Sequence, residues 1–126
     1  MDHPQAFVAV VDDEPSICRA LLRLLRAADF RAEAYGSATT FLESLPNEAP
    51  DCLVVDLHMP GMTGIELQEQ LLRQEQRVPV IIVTAHDEPG VAARCLGLGA
   101  SFYLRKPIEG DVLIGAIRGL VCRNGA

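Results

Sequence analysis

Five side chains in this sequence carry groups able to do chemistry together: Asp12, Asp13, Asp56, Thr84 and Lys106. Each follows or closes a short apolar run, so acids, a hydroxyl and an ammonium are delivered to strand ends. Three carboxylates gathered at one rim would repel one another. At ~4 Å and an effective dielectric near ~20, each like-charged pair costs about 4 kcal/mol. Such a cluster is tolerable when a hard cation and a lysine neutralise it. Mg2+ suits this set, because it takes oxygen ligands, holds several waters and accepts one or two carboxylates together with phosphate oxygens. Taken singly, each acid is equally well explained as a strand end or a helix cap; the set of five together is not.

Lys106 is also unusual in number. The chain has ten arginines and a single lysine. A lone exception among planar guanidinium forks points to a position that needs a compact ammonium.

The elements that must position these groups alternate along the chain. Ala6–Val11 is an apolar strand run ending in Asp12-Asp13-Glu14, and Pro15 opens a helix whose first turn needs no N–H from it. Ile17, Leu21, Leu24, Leu25 and Ala28 follow at helical spacing, with Arg19, Arg23 and Arg26 on the opposite side. Arg31–Tyr35 alternates in polarity as an edge strand does. Ser37 caps a short helix running to about Leu45, and Asn47–Pro50 is a turn. Cys52–Val55 is a buried strand ending at Asp56. The loop His58-Met59-Pro60-Gly61-Met62-Thr63-Gly64 leads to a helix expected to show Ile65, Gln68, Leu71 and Leu72 on one face. Val80–Val83 ends at Thr84. A helix is expected from Asp87 to about Leu98, with Pro89 in its first turn and Gly90 and Gly97 weakening it by about 1 kcal/mol each. Ser101–Leu104 is the last strand, before Arg105, Lys106 and Pro107. The final helix runs from about Glu109 to Cys122, with Val112, Leu113, Ala116, Ile117 and Leu120 as its apolar face.

Strict strand–helix alternation specifies an α/β fold: a doubly wound, five-stranded parallel sheet with helices on both faces. In such a sheet the functional crevice lies beyond the carboxyl ends of the strands, where the five groups stand.

Composition narrows the function. With 126 residues and 49% of them hydrophobic, the chain can form one cored domain spanning residues 1–126. The net charge of −6 opposes direct nucleic-acid binding, which needs clustered bases. The start, MDHPQ, has no basic region followed by an apolar stretch, so no signal peptide is visible, and no run has the length of a membrane span. Cys18, Cys52, Cys95 and Cys122 contain no C-x-x-C pair and are read as small buried hydrophobes in a reducing cytoplasm.

The Asp12-Asp13 pair, Asp56 followed by L-H-M-P-G-M-T-G-I-E-L, the V-T-A-H that includes Thr84, and Lys106-Pro107 together resemble a response regulator receiver domain of the CheY-like family. The fourth-strand region, I-I-V-T-A-H-D ending in G-L-G-A, resembles receivers of FixJ-type transcriptional regulators. The resemblance implies a flavodoxin-like sheet of order 2-1-3-4-5. It implies that Asp56 is the phosphoacceptor and Asp13 a direct Mg2+ ligand, with Asp12 acting mainly through water and the backbone carbonyl of His58 completing the protein's share. Thr84 becomes the switch hydroxyl, Lys106 the phosphate-contacting cation and Tyr103 the rotating aromatic. A cis bond before Pro107 is implied as well.

The implied partners are a sensor histidine kinase or phosphotransfer protein and a downstream effector. The effector would engage the face of the fourth helix, fifth strand and fifth helix, which also serves for homodimerisation upon phosphorylation. His58 and His86 flank the acceptor and switch positions and are read as tuning water access and phosphoryl lifetime in preference to binding a transition metal. Pro60 and Gly64 shape the acceptor loop. Ile108 stands where the family commonly has an aromatic, which touches packing only. Arg123–Ala126 is a short tail, so a stand-alone receiver is favoured over a piece of a longer regulator.

Other classes fit less well. A flavin-binding electron carrier needs a Ser/Thr/Gly-rich loop after strand one, where this chain has Asp-Asp-Glu. An Asp-nucleophile phosphatase typically has D-x-D after strand one and a cap. A degenerate receiver would lack a member of the Asp/Thr/Lys set.

Overall fold

The computed structural model describes residues 5–124. The start at residues 1–4 and the tail end at residues 125–126 lie outside the described residues. The elements run β1 (Phe7–Val11), α1 (Pro15–Ala27), β2 (Arg31–Tyr35), α2 (Ala38–Ser44), β3 (Cys52–Asp56), α3 (Gly64–Arg73), β4 (Val80–Thr84), α4 (Val91–Gly97), β5 (Ala100–Arg105) and α5 (Gly110–Asn124). Every strand pair is parallel, in the order β2-β1-β3-β4-β5.

The strand sequences explain this order. β1, β3 and β4 are buried along their whole length and occupy the centre. Continuous Val, Ile and Leu runs suit strands covered on both faces. β2 and β5 are only partly buried and take the edges. Two cores result, one on each face of the sheet. Phe41, Leu67, Ile82 and Cys95 pack on one side, and Leu25, Ile81, Leu113 and Ile117 on the other.

Four expectations are corrected. The fourth helix starts at Val91 rather than Asp87, because Gly90 takes a left-handed φ of 82° at the N-cap. Pro89 therefore precedes the helix. On α3 the buried residues are Gly64, Leu67, Gln68 and Leu71, while Leu72 is 55% exposed. On α5 Ile114 is buried and Val112 is 50% exposed, so the apolar stripe is rotated from the expected one. Cys122 is exposed and Cys18 half-buried; Cys52 and Cys95 are buried as read.

The starts of α2 and α3 follow capping chemistry. Ser37 Oγ accepts from the Thr40 amide. Thr63 and Glu66 form a reciprocal capping box: Thr63 Oγ1 accepts from the Glu66 amide, and Glu66 Oε1 accepts from the Thr63 amide at 2.9 Å. Substituting such a cap costs about 1 kcal/mol. Among the described residues no helix is long and apolar enough to cross a membrane.

Candidate functional site

Parallel pairing brings the C-terminal ends of β1, β3, β4 and β5 to one edge. Asp12 follows β1 directly, Asp56 closes β3, Thr84 closes β4 and Lys106 follows β5. The Lys106 amide donates to the Thr84 carbonyl at 2.8 Å, carrying the last strand pair one residue past β5. The Lys106–Pro107 peptide is cis.

The three acids converge. Asp12, Asp13 and Asp56 each present a carboxylate oxygen within 4.8 Å of the others'. Asp12 and Asp56 are buried and Asp13 is exposed. The Lys106 ammonium is the cation among them, donating to Asp12 Oδ2 at 3.2 Å and standing 3.7 Å from Asp56 Oδ1. Asp12 Oδ1 accepts the Glu14 amide at 2.9 Å. Both Asp12 oxygens thus have protein partners, and Asp13 and Asp56 are left as the carboxylates with freer lone pairs.

Electrostatics reports the same crowding. Burial, the largest influence, lifts the Asp56 carboxyl above its ordinary value; Lys106 pulls it back, Asp12 and Asp13 push it higher, and the His58 amide lowers it. Burial also works against the Lys106 ammonium. There the hydrogen bond to Asp12 and the charges of Asp12 and Asp56 outweigh burial, and the net shift is upward. One lysine does not offset three carboxylates. The donor set is all oxygen, half-open and net negative, and it fits a hard divalent cation.

Around this centre the loops differ in firmness. Gly64 is pressed against the Asp56–Leu57 backbone: a Cβ there would lie 3.0 Å from the Asp56 carbonyl oxygen and 3.1 Å from Leu57 Cα. Its amide donates to the Leu57 carbonyl at 3.0 Å. Thr84 is fully buried, and its hydroxyl both donates to the His86 carbonyl at 2.8 Å and accepts the His86 amide at 3.1 Å. Tyr103 is half-buried on β5, and its hydroxyl donates to Asp87 Oδ1 at 3.2 Å.

All of the predicted side chains lie on this rim or beside it, and Asp12, Asp13, Asp56 and Lys106 are brought into direct proximity. Sequence reading missed Asp87, which holds Tyr103. It also missed Gln68, whose buried Nε2 donates to the Cys95 carbonyl at 3.0 Å and ties α3 to α4. Neither has a local signal, since each partner is remote in the chain.

Comparison with known proteins agrees with this geometry. Residues 8–118 match the family described as response regulator receiver domain. The chain is 31% identical over 118 residues to the response regulator protein TmoT of Ectopseudomonas mendocina, covering 94% of this chain and 54% of that protein. It is 34% identical over 114 residues to the transcriptional regulatory protein FixJ of Bradyrhizobium diazoefficiens, covering 90% of this chain and 56% of that protein. The chain thus spans about half the length of these curated relatives. Among solved structures, a response regulator receiver protein from Burkholderia phymatum superposes with a TM-score of 0.82 at 42% identity, covering 93% of this chain and 95% of that one.

Proposed function

The chain belongs to the response regulator receiver domain family, and from that membership we propose that Asp56 accepts a phosphoryl group from a histidine kinase or phosphotransfer protein in a Mg2+-dependent reaction. The observation that carries this reading is the placement of Lys106 between Asp12 and Asp56 beside the exposed carboxylate of Asp13.

In this reading the chain is one receiver domain over residues 1–126, acting in the cytoplasm. It is a phosphoacceptor rather than an enzyme with its own external substrate. Asp56, Asp13 and the His58 backbone carbonyl hold the cation, and Asp12 reaches it through water because its own oxygens are engaged by Lys106 and Glu14. Bound Mg2+ supplies positive charge to the transferring phosphoryl oxygens. An Asp56 carboxylate oxygen attacks phosphorus in line, forming the acyl phosphate O–P bond as the donor P–N bond breaks and its electron pair leaves on the imidazole. Lys106 then contacts the phosphoryl oxygens. The ammonium is compact and already held in place by two acids, so little reorganisation accompanies the charge shift.

Switching follows from what Thr84 must give up. Its hydroxyl exchanges the His86 backbone for a phosphoryl oxygen, and Tyr103 leaves Asp87 to fill the vacated space. The affected surface is α4–β5–α5, where Leu96 and Phe102 are exposed apolar side chains together with Val112. An effector, or a second copy in a homodimer, docks on that face. The domain itself binds neither nucleic acid nor membrane. Moving such an equilibrium from 1:99 to 99:1 takes about 5.5 kcal/mol of differential binding.

The test is intact-mass measurement after incubation with acetyl phosphate and Mg2+. Wild type gains one phosphoryl group and Asp56→Asn gains none; equal labelling of the two overturns the acceptor assignment.

A further inference from the structure

The end of the sheet away from the acid cluster holds an orphaned polar atom beside a cavity. Gln68, on α3, is only 3% exposed. Its Nε2 donates to the Cys95 carbonyl at 3.0 Å. A carbonyl only accepts, so that bond fixes which way round the amide sits and commits Oε1 elsewhere. Among the described residues, Gln68 Oε1 is the buried side-chain atom that has no hydrogen-bond partner. A buried acceptor in that state is costly and calls for an N–H or O–H donor.

Gln68 lines a cavity of about 310 Å³ set between α3, the entry to β4 and the chain just past α4. Leu71, Pro79 and Leu98 give it apolar lining, together with Leu72, which is otherwise left exposed. Arg77 lines it as well; it is exposed, and among the described residues its guanidinium enters no ion pair. Val80 begins β4 and Thr84 closes it, so the cavity lies a strand's length from the phosphoacceptor rim, roughly 13 Å. Its volume is at the small end of the ~300–1,000 Å³ typical of ligand pockets, and apolar lining with a few polar groups is their usual make-up.

We propose that this cavity binds a small organic carboxylate with an apolar body and one N–H or O–H donor. Each part of that description answers one feature of the site. The donor satisfies Gln68 Oε1, the body covers Leu71, Leu72, Pro79 and Leu98, and the carboxylate pairs with the Arg77 fork. A water molecule could satisfy Oε1 alone, but it would leave the apolar lining and the arginine unmatched. Because the same amide bonds the Cys95 carbonyl, the ligand sits at the joint between α3 and α4.

The experiment is titration of the full chain with indole-3-acetate in saturating Mg2+, followed by calorimetry and backbone-amide NMR. This probe has a ring N–H and a carboxylate on opposite sides of an apolar body. One molecule per chain is expected, with amide shifts centred on Gln68, Leu98 and Gly99. 1-Naphthaleneacetate has a similar shape without the N–H and should bind roughly tenfold or more weakly, since it leaves Oε1 unpaired. Arg77→Gln, a change at an exposed side chain, should weaken indole-3-acetate by a similar factor and leave the binding of 3-methylindole, which has no carboxylate, as it was. Absence of saturable binding, equal affinity for the naphthalene compound, unchanged affinity in Arg77→Gln, or shifts centred on Asp56 and Lys106 overturns the site. No arm uses a phosphoryl donor, so the result is independent of the acceptor assignment.

Discussion

Lys106 Nζ stands closer to the Asp12 carboxylate, at 3.2 Å, than to that of Asp56, at 3.7 Å. Asp12 is almost wholly buried and receives the Glu14 amide on its other oxygen. The lysine is therefore anchored by an acid fixed to the backbone, and its charge projects toward Asp56 without being consumed there. An ammonium bonded chiefly to Asp56 would have to break that bond as the carboxylate attacks.

Lys106→Ala removes this charge and leaves Asp12 and Asp56 facing each other. Labelling by acetyl phosphate should slow by about 10²-fold, the scale seen when one preorganised stabilising donor is lost. Lys106→Arg should recover little of the rate, because a planar fork bonding Asp12 does not present the same point charge to Asp56. Initial rates of phosphoryl incorporation measure both.

Thr84→Val removes both hydroxyl bonds to the His86 backbone while keeping the side chain's volume. Leaving those groups unpaired should cost about 1–3 kcal/mol in urea unfolding. The variant should still take phosphate on Asp56 yet show none of the β4–α4 amide shifts expected of wild type with beryllofluoride. Thr84→Ser should restore both properties in large part.

Gly64→Ala tests how tightly the acceptor strand is held. The new methyl would meet backbone atoms of Asp56 and Leu57 at 3.0 and 3.1 Å, which cannot swing aside as a side chain can. Overpacking of this kind costs about 1–3 kcal/mol. A fall in the urea midpoint, with a slower labelling rate, is the expected outcome.

Stability of the metal-free protein should depend on pH through Asp56. Its folded-state pKa is raised above the ordinary 3.8, with burial as the leading cause. The folded state therefore holds the proton more tightly than the unfolded state. The stabilisation this gives is complete below the ordinary value and is lost as pH rises through the raised one. Asp56→Asn should gain on wild type in urea melts between mildly acidic and neutral pH. Mg2+ at a hundredfold over its Kd should add about 2.7 kcal/mol to wild type, and much less to the variant.

The central strands were legible because Phe7–Val11, Cys52–Asp56 and Val80–Thr84 are buried on both faces and so are apolar without interruption. The acids and Lys106 were legible because each follows such a run. Helix phase was not. Leu72 and Val112 are as apolar as the buried Leu67 and Ile114, and only the angle of each helix on the sheet decides which side turns inward. The start of α4 was missed because Pro89 is a good first-turn residue, while the left-handed turn at Gly90 depends on loop geometry that composition does not encode. The Thr84–His86 bonds were invisible for the same reason.

The two walls of the crevice around Asp56 differ in compliance. On one side the ten-residue α3 opens on a reciprocal cap, with its first residue wedged against the backbone of Asp56 and Leu57. On the other, α4 is two turns long and starts at Val91 behind a Gly90 N-cap that makes no side-chain hydrogen bond. Helices so short have little autonomous stability in water. A load applied at Asp56 will therefore displace the softer wall and leave the stiffer one as its fulcrum, so the direction in which the domain yields is set before any phosphate arrives.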